Sequence, residues 1–187
     1  MISCGRWLSI ALAVLMLVAC GGGRGERQDQ RDAPLVLLHD ALPAMDSLHR
    51  VDADVLAAGQ PSAAELAAFA QAGVTTVIDL RGADEDRGFD ELGTALELGM
   101  DYVAIPISGP DSMDPHAVAA FNDAINRARG PVLVHCRSGS RVGAMVALRA
   151  RQQGVGVEES MNAGIAAGMG SGLQPAIRER LEQVHER

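Results

Sequence analysis

The segment from Pro131 to Arg141 constrains the fold most, because a short apolar run leads directly into a polar loop. Residues 131 to 135 have the sequence Pro-Val-Leu-Val-His, the pattern of a strand buried on both faces. A helical pattern from about 140 to 153 follows the loop. A buried strand that passes through a tight loop into a helix is the repeating unit of parallel α/β sheets.

The rest of the domain alternates in the same way. Runs rich in β-branched residues at 75–80 and 101–107 predict two more strands. Further helices are predicted at 62–72, where Ser62 and Glu65 form a capping-box pattern, and at 89–98, 114–129, 158–167 and from Pro175 onward. The sequence therefore predicts an α/β fold with a central, mostly parallel sheet of four to five strands flanked by helices. Such sheets bind ligands where strands end and helices begin.

The first twenty residues have the layout of a secretory signal. Arg6 precedes an apolar run from Leu8 to Val18. That run is shorter than the roughly 20 apolar residues that cross a bilayer. The sequence Leu17-Val18-Ala19-Cys20 resembles a bacterial lipobox, in which Cys20 becomes the lipidated first residue of the mature chain.

This layout predicts three parts of the chain. We expect a lipoprotein signal peptide at 1–19, a lipid anchor with a polar tether and irregular lead-in at 20–50, and a catalytic domain at 51–187. The expected location is the bacterial cell envelope, facing the periplasm, with contact to the membrane through Cys20 only. Gly21 after the cysteine favours the outer membrane. Simple cleavage that releases a soluble periplasmic protein is the alternative.

Charge and cysteine content narrow the chemistry. The chain has 16 Lys and Arg, all of them Arg, against 24 Asp and Glu, for a net charge of −8. A broad basic surface for nucleic acid is thereby excluded, and any anion site must be local. Cys4 leaves with the signal and Cys20 is lipidated, so Cys136 is the one free thiol of the mature chain. A lone thiol in an oxidising compartment requires deep burial or a chemical purpose.

The loop from Cys136 to Arg141 indicates a chemical role for the Cys136 thiol. Its residues Arg137, Ser138, Gly139 and Ser140 lie between a strand and a helix start, so several backbone N–H groups and the positive helix end point at one small volume. Gly139 allows the tight turn, and Arg141 can hold two oxygens of an anion at once. The same field favours the thiolate of Cys136, which makes it a nucleophile. No metal and no cofactor are predicted, because the five histidines lack ligand spacing.

Three residues are predicted to support this loop. His135 alternates to the side of the strand opposite Cys136, so we expect it to orient the loop rather than transfer a proton. Asp79 and Arg81 lie near the end of another strand, where they could pair with each other or support the loop.

The His-Cys-x-x-Gly pattern resembles the signature loop of protein tyrosine and dual-specificity phosphatases, whose Cys attacks phosphorus and whose Arg holds the phosphoryl oxygens. Here four residues rather than five separate Cys136 from Arg141. The same six residues equally resemble the active loop of rhodanese-type sulfurtransferases, whose Cys carries a persulfide. Further motifs, at 58–62, 73–81 and 99–107, are similar to those of the phosphatase-like domain of beta-lactamase hydrolase-like proteins, over about residues 55 to 150.

The resemblance implies an exported phosphatase that acts on a phosphomonoester through a thiophosphate intermediate on Cys136. It also implies a general acid on the loop at 108–114, where Asp111 is the candidate and Asp114 is more simply a helix N-cap. Val142 stands where the family usually has Ser or Thr to help the thiolate leave. The expected partner is a small anionic substrate, a phosphate ester or a sulfur donor. A persulfide sulfurtransferase and an anion-binding module without turnover are the alternatives.

Overall fold

A five-stranded sheet forms the centre of the computed structural model, which describes residues 39–183. Its strands are β1 (His49–Arg50), β2 (Val55–Ala58), β3 (Thr76–Asp79), β4 (Asp101–Ala104) and β5 (Val132–His135). The spatial order is β1-β2-β5-β3-β4, with β1 antiparallel to β2 and every other pair parallel. The prediction of a mostly parallel sheet is confirmed. The predicted signal peptide, Cys20 and most of the tether lie outside the described residues.

Six α-helices flank the sheet in the described part of the chain. They are α1 (Ala63–Gln71), α2 (Glu91–Glu97), α3 (Pro115–Arg127), α4 (Ser140–Gln152), α5 (Val157–Ala166) and α6 (Gln174–Gln183), with 3-10 turns at His39–Ala41 and Pro110–Ser112. Ser62 and Glu65 form the predicted capping box. Asp114 caps α3 by accepting a hydrogen bond from the N–H of Ala117 at 2.8 Å. None of these helices is both long and apolar enough to cross a bilayer.

The strand β2 was not predicted, although it lies inside the sheet between β1 and β5. Its sequence, Val-Leu-Ala-Ala, lacks the β-branched run by which the other strands were found. All four of its residues are buried, so position in the sheet rather than local propensity makes it a strand. The strand β4 is shorter than predicted: it ends at Ala104, two residues before Pro106, which has no N–H to donate.

Two apolar layers cover the two faces of the sheet. Adjacent residues of β5 divide between them, with Val134 packed on the side of α3 to α6 and Leu133 packed on the side of α1 and α2. Cys136 continues the alternation and belongs to the same apolar cluster as Val134. The loop that follows β5 is therefore anchored on the sheet at the carboxyl ends of β2, β3 and β5.

Candidate functional site

The loop between β5 and α4 folds around the sulfur of Cys136. Gly139 adopts a left-handed φ of 85° and forms the N-cap of α4. That turn directs the N–H of Gly139 at the Cys136 Sγ, at 3.2 Å. Cys136 is 1% exposed, so the sulfur lies at the base of the turn rather than on the surface. Of the backbone N–H groups predicted to surround the sulfur, that of Gly139 points at it.

The segment that follows β2 holds this loop in place through its backbone. The N–H of Cys136 donates to the carbonyl of Ala58 at 3.3 Å, and the N–H of Gln60 donates to the carbonyl of Arg137 at 3.3 Å. Gly59 lies between these contacts, where a Cβ would come within 3.2 Å of the Arg137 carbonyl oxygen. A side chain there would force its neighbours, the Ser47 Oγ at 2.9 Å among them, to shift, so the loop and the end of β2 approach closely.

Arg141 is held in one orientation by the groups around it. Its Nη1 donates to the carbonyl of Ile107 at 2.7 Å and to Glu85 Oε1, while its Nη2 donates to Glu85 Oε2 at 2.9 Å. The Nε–H group and one Nη2 hydrogen make no hydrogen bond to an oxygen of the described residues. One edge of the guanidinium therefore grips Glu85, and the other edge stays available to an anion.

The electrostatics of this pair agree with its geometry. The hydrogen bond from Arg141 lowers the pKa of Glu85 to about 2, against the opposing effect of burial. The hydrogen bond to Glu85 first, and then the nearby Cys136, raise the pKa of Arg141 despite its partial burial. Arg141 thus remains charged and lies close enough to Cys136 for the two groups to interact.

The hydroxyl groups of the loop are not directed at the sulfur. Ser138 is exposed, and the Ser140 Oγ accepts a hydrogen bond from the N–H of Gly170 at 2.9 Å. Val142 is fully buried in the apolar cluster. Within residues 39–183, the N–H of Gly139 is the one hydrogen-bond donor recorded for the Cys136 Sγ.

A shallow cavity of about 470 Å³ lies over the loop. It is lined by Gly82, Ala83, Asp84, Glu85, Ser108, Arg137 and Arg141. These residues come from the loop after β3, the segment after β4 and the Cys136 loop. The described residues that line the cavity include no aromatic side chain, and two of its side chains, Arg137 and Arg141, are cationic.

Asp111, the predicted general acid, lies on the 3-10 turn Pro110–Ser112. Its side chain is fully exposed, and its Oδ1 lies 3.5 Å from Nη2 of Arg180 on α6. The segment that carries it starts at the site, because the carbonyl of Ile107 is bound by Arg141. The role of Asp111 stays a prediction.

The predicted support residues form part of a buried polar network. His135 is fully buried, and its Nε2 lies 3.1 Å from Glu91 Oε1 and 3.8 Å from Asp79 Oδ1. The Tyr102 hydroxyl donates to Asp79 Oδ2 at 2.8 Å. Burial first, and then Asp79, raise the pKa of Tyr102, so it stays a neutral donor.

The suggested pairing of the Asp79 and Arg81 side chains is wrong. The Asp79 carboxylate accepts from the backbone N–H of Arg81 at 2.7 Å, but its cationic partner is Arg87, whose Nη2 lies 2.7 Å from Oδ2. The side chain of Arg81 turns away to Gln60 and Glu85. Arg81 thereby contacts Gln60, whose N–H donates to the Arg137 carbonyl, and Glu85, which binds Arg141.

Asp79, Glu91 and His135 are also the described residues that come closest to a metal-ligand set, with their donor atoms within 4.8 Å of one another. The guanidinium of Arg87 already binds Asp79, and Gln60 Nε2 donates to Glu91 Oε1 at 3.0 Å. A cation would have to displace these hydrogen bonds and lie beside Arg87. Asp79 and Glu91 are therefore already occupied by protein hydrogen bonds, whereas neither imidazole nitrogen of His135 has a hydrogen-bond partner within the described residues.

The fold and the Cys136 loop together define a phosphatase-like α/β protein. The family model for the beta-lactamase hydrolase-like protein, phosphatase-like domain, matches residues 47–154, and the chain belongs to this family. The predicted family is confirmed. Curated relatives include the beta-lactamase hydrolase-like proteins of Agrobacterium fabrum, 33% identical over 96 residues, and Xylella fastidiosa, 37% identical over 94 residues. These matches cover 49% and 48% of this chain but only 22% of each relative, so the similarity spans about a fifth of their length.

Solved structures share the fold. A candidate phosphatase of Neisseria meningitidis Z2491 is 24% identical, with a TM-score of 0.64 over 75% of this chain and 100% of its own. A candidate phosphatase of Shewanella putrefaciens CN-32 is 25% identical, with a TM-score of 0.63 over 79% of this chain and 99% of its own. P. aeruginosa TpbA is 20% identical, with a TM-score of 0.60 over 81% of this chain and 91% of its own. The predicted phosphatase-like architecture is confirmed.

Several residues of the site were not predicted. Glu85, Glu91, Arg87 and Tyr102 had no role from sequence, and Gln60 appeared only inside a family motif. Glu85 lies in the stretch Ala-Asp-Glu-Asp-Arg, which has the composition of a solvated loop. Glu91 is in the first turn of α2, where an acidic residue is common and usually exposed, but it is 1% exposed here. Only the tertiary contacts distinguish these residues from surface charges.

Proposed function

We propose that the protein is a cysteine-dependent phosphatase that hydrolyses a phosphomonoester. The observation that carries this proposal is the Gly139 N–H directed at the Cys136 sulfur, with Arg141 of the same loop close enough to interact with that sulfur. A nucleophile at the base of an anion cradle is the arrangement that phosphoryl transfer to sulfur requires. Membership of a phosphatase-like family supports the same chemistry.

Two steps complete the proposed reaction. The Cys136 thiolate forms a bond to phosphorus while the bond to the leaving oxygen breaks, and Asp111 gives that oxygen a proton. Water then attacks phosphorus, the sulfur–phosphorus bond breaks, and orthophosphate and the thiolate are released. The loop amides and Arg141 stabilise the charge on the phosphoryl oxygens in both steps. To donate that proton, the Asp111 side chain must rotate away from Arg180 and towards the cavity.

The cavity supports a small or projecting phosphate ester. It is shallow, and its described lining has no aromatic wall to enclose a ring. A structural neighbour, a Cys-to-Ser variant of P. aeruginosa TpbA with a TM-score of 0.57 to this chain, is in complex with pTyr. Phosphotyrosine is therefore the first protein-type substrate to compare with phosphoserine and with a simple aryl phosphate.

A sulfurtransferase is the second candidate, and one observation favours it. No described hydroxyl group is directed at the sulfur, because Val142 is buried and Ser140 is bound to Gly170. A sulfurtransferase forms a persulfide on Cys136 and no thiophosphate, so it needs no hydroxyl group to help the thiolate leave phosphorus. The short loop, which suits a small guest, agrees with this alternative.

One experiment separates these reactions. The protein is incubated with an aryl phosphate or with thiosulfate, quenched in acid, and the mass of the Cys136 peptide is measured. A phosphoryl adduct with release of phosphate supports the proposal, whereas a sulfane adduct with thiocyanate formed from cyanide supports the alternative. Cys136→Ser should remove both adducts and all turnover while keeping the melting temperature. Full aryl phosphate hydrolysis by this variant would refute the role of Cys136.

We also propose that the domain is exported and anchored through lipid on Cys20. The sequence of residues 17–20 and the apolar run before it support this location. Cys20→Ala should move the protein from the membrane fraction to the soluble fraction of its bacterial host. Unchanged sedimentation with membranes would contradict lipidation at Cys20.

A further inference from the structure

We propose that Gln60 is a positioning residue that fixes the orientation of Arg141 from the buried Glu91–His135 pair. This inference rests on the proposed function, because it assigns Arg141 the task of holding a phosphoryl group. Gln60 is only partly buried and does not line the cavity over the loop. It acts through other side chains rather than on the substrate.

A continuous chain of side-chain hydrogen bonds runs from Glu91 to Arg141, and the His135 imidazole lies beside Glu91 without a hydrogen bond to it. The Gln60 Nε2 donates to Glu91 Oε1 at 3.0 Å, and Glu91 Oε1 lies 3.1 Å from the His135 imidazole. In the other direction, Nη1 of Arg81 donates to Gln60 Oε1. The Arg81 Nε then donates to Glu85 Oε2 at 3.2 Å, and Glu85 accepts both Nη groups of Arg141.

The amide of Gln60 suits its place between two charged groups. A carboxamide donates from one end and accepts at the other, so it can face an anion and a cation at the same time. Glu91 is also faced by the Tyr102 hydroxyl at 3.5 Å, and Arg81 has no carboxylate partner recorded besides Glu85 within the described residues. Replacing the amide thus removes one contact from each half of the chain.

The backbone of Gln60 adds a second link to the site. Its N–H donates to the carbonyl of Arg137, the residue after Cys136. One residue thereby holds the peptide of the loop and, through Arg81 and Glu85, the guanidinium at the end of the loop. Loss of the side-chain contacts should free Arg81 and Glu85 to reorient, so that Arg141 meets the phosphoryl oxygens at a poorer angle.

Two substitutions test this role differently. Gln60→Met removes both the donor and the acceptor at similar length. Gln60→Glu keeps an acceptor for Arg81 but faces Glu91 with a second carboxylate, so the bridge forms only when the pair shares a proton. Gln71→Met is the matched control, because Gln71 is exposed on α1 and outside the site.

The measurements are kcat and KM for an aryl phosphate between pH 5 and 8, orthophosphate binding by calorimetry, and the melting temperature. For Gln60→Met we expect KM and the orthophosphate Kd to rise about tenfold at every pH, since a small misplacement of a binding group costs on this scale. For Gln60→Glu we expect activity near wild type at the acid end and a progressive loss as pH rises. That pH dependence is not expected from a loss of stability alone.

Each outcome decides the inference. If Gln60→Met matches Gln71→Met while the wild type hydrolyses substrate and binds orthophosphate, Gln60 has no positioning role. If Gln60→Met does not fold, the pH profile of Gln60→Glu carries the test, and a profile parallel to wild type overturns the inference. A wild-type protein that neither hydrolyses the ester nor binds orthophosphate overturns the proposed function, and this inference with it.

Discussion

Glu85→Gln tests the electrostatic support of Arg141. The Glu85 carboxylate accepts from Arg141, from the Arg81 Nε and from the N–H of Gly82 at 2.7 Å, and these contacts lower its pKa from 4.5 to about 2. A carboxylate whose pKa is lower in the folded state stabilises the fold above pH 4.5, and the stabilisation is lost as pH falls towards 2. The difference of 4.5 − 2 sets an upper limit of about 3 kcal/mol. Because the side chain is 29% exposed, solvent screening reduces this to about 1–2 kcal/mol.

Urea unfolding of the wild type and Glu85→Gln between pH 7 and 3 measures this effect. We expect the wild type to be more stable by about 1–2 kcal/mol at pH 7, with the difference shrinking below pH 4.5 as the wild-type carboxylate takes up its proton. Glu158→Gln is the control, since its pair with Arg178 is on the surface and should add little. A difference between wild type and Glu85→Gln that stays constant over this range would show that the charge of Glu85 is not the stabilising feature.

Three further substitutions check the site and its packing. Arg141→Lys should keep the fold but lower kcat/KM on the order of a hundredfold, because a compact ammonium lacks the planar fork that binds Glu85 with one edge and a phosphoryl group with the other. Asp111→Asn should flatten the basic limb of the kcat/KM profile, and an unchanged profile would remove Asp111 from the mechanism. Gly143→Ala should lower the free energy of unfolding by about 1–3 kcal/mol, because its Cβ would lie 2.3 Å from a backbone nitrogen of Met169. Urea unfolding against Gly172→Ala, where the added Cβ meets nothing within 4 Å, measures this cost.

The fold was predictable where local pattern and tertiary position agree. The runs at 75–80 and 131–135 contain the strands β3 and β5, which are buried at every residue, and the Cys136 loop follows the second of them as expected. The sequence pattern did not predict β2. Its residues Ala57 and Ala58 are strand residues because both pair with β5, and Ala57 also pairs with β1. An alanine carries little local preference for a strand, so its conformation depends on its neighbours in the sheet.

The part of the site made by residues close together in the sequence was predictable. Cys136, Gly139 and Arg141 lie within one six-residue loop, so their spacing indicates that they are close in space. Glu85 reaches Arg141 across 56 positions, and no local pattern distinguishes it from the acidic residues on either side. For Asp79 and Arg81, closeness in sequence was misleading. Side chains two residues apart share a face only within a strand, and β3 ends at Asp79, so Arg81 does not pair with it.

The distribution of hydrogen bonds in the site bears on which step limits the reaction. Arg141 donates to acceptors from three residues, Glu85, Ile107 and Leu80, whereas the Cys136 sulfur accepts from one donor within the described residues, the N–H of Gly139. An oriented guanidinium supports binding and transfer of the phosphoryl group to sulfur. Departure of the sulfur from phosphorus needs donors at the sulfur itself, and Val142 supplies none. On the proposed mechanism, hydrolysis of the thiophosphate should therefore be slower than its formation, and the leaving alcohol should appear in an initial burst equal to the amount of protein.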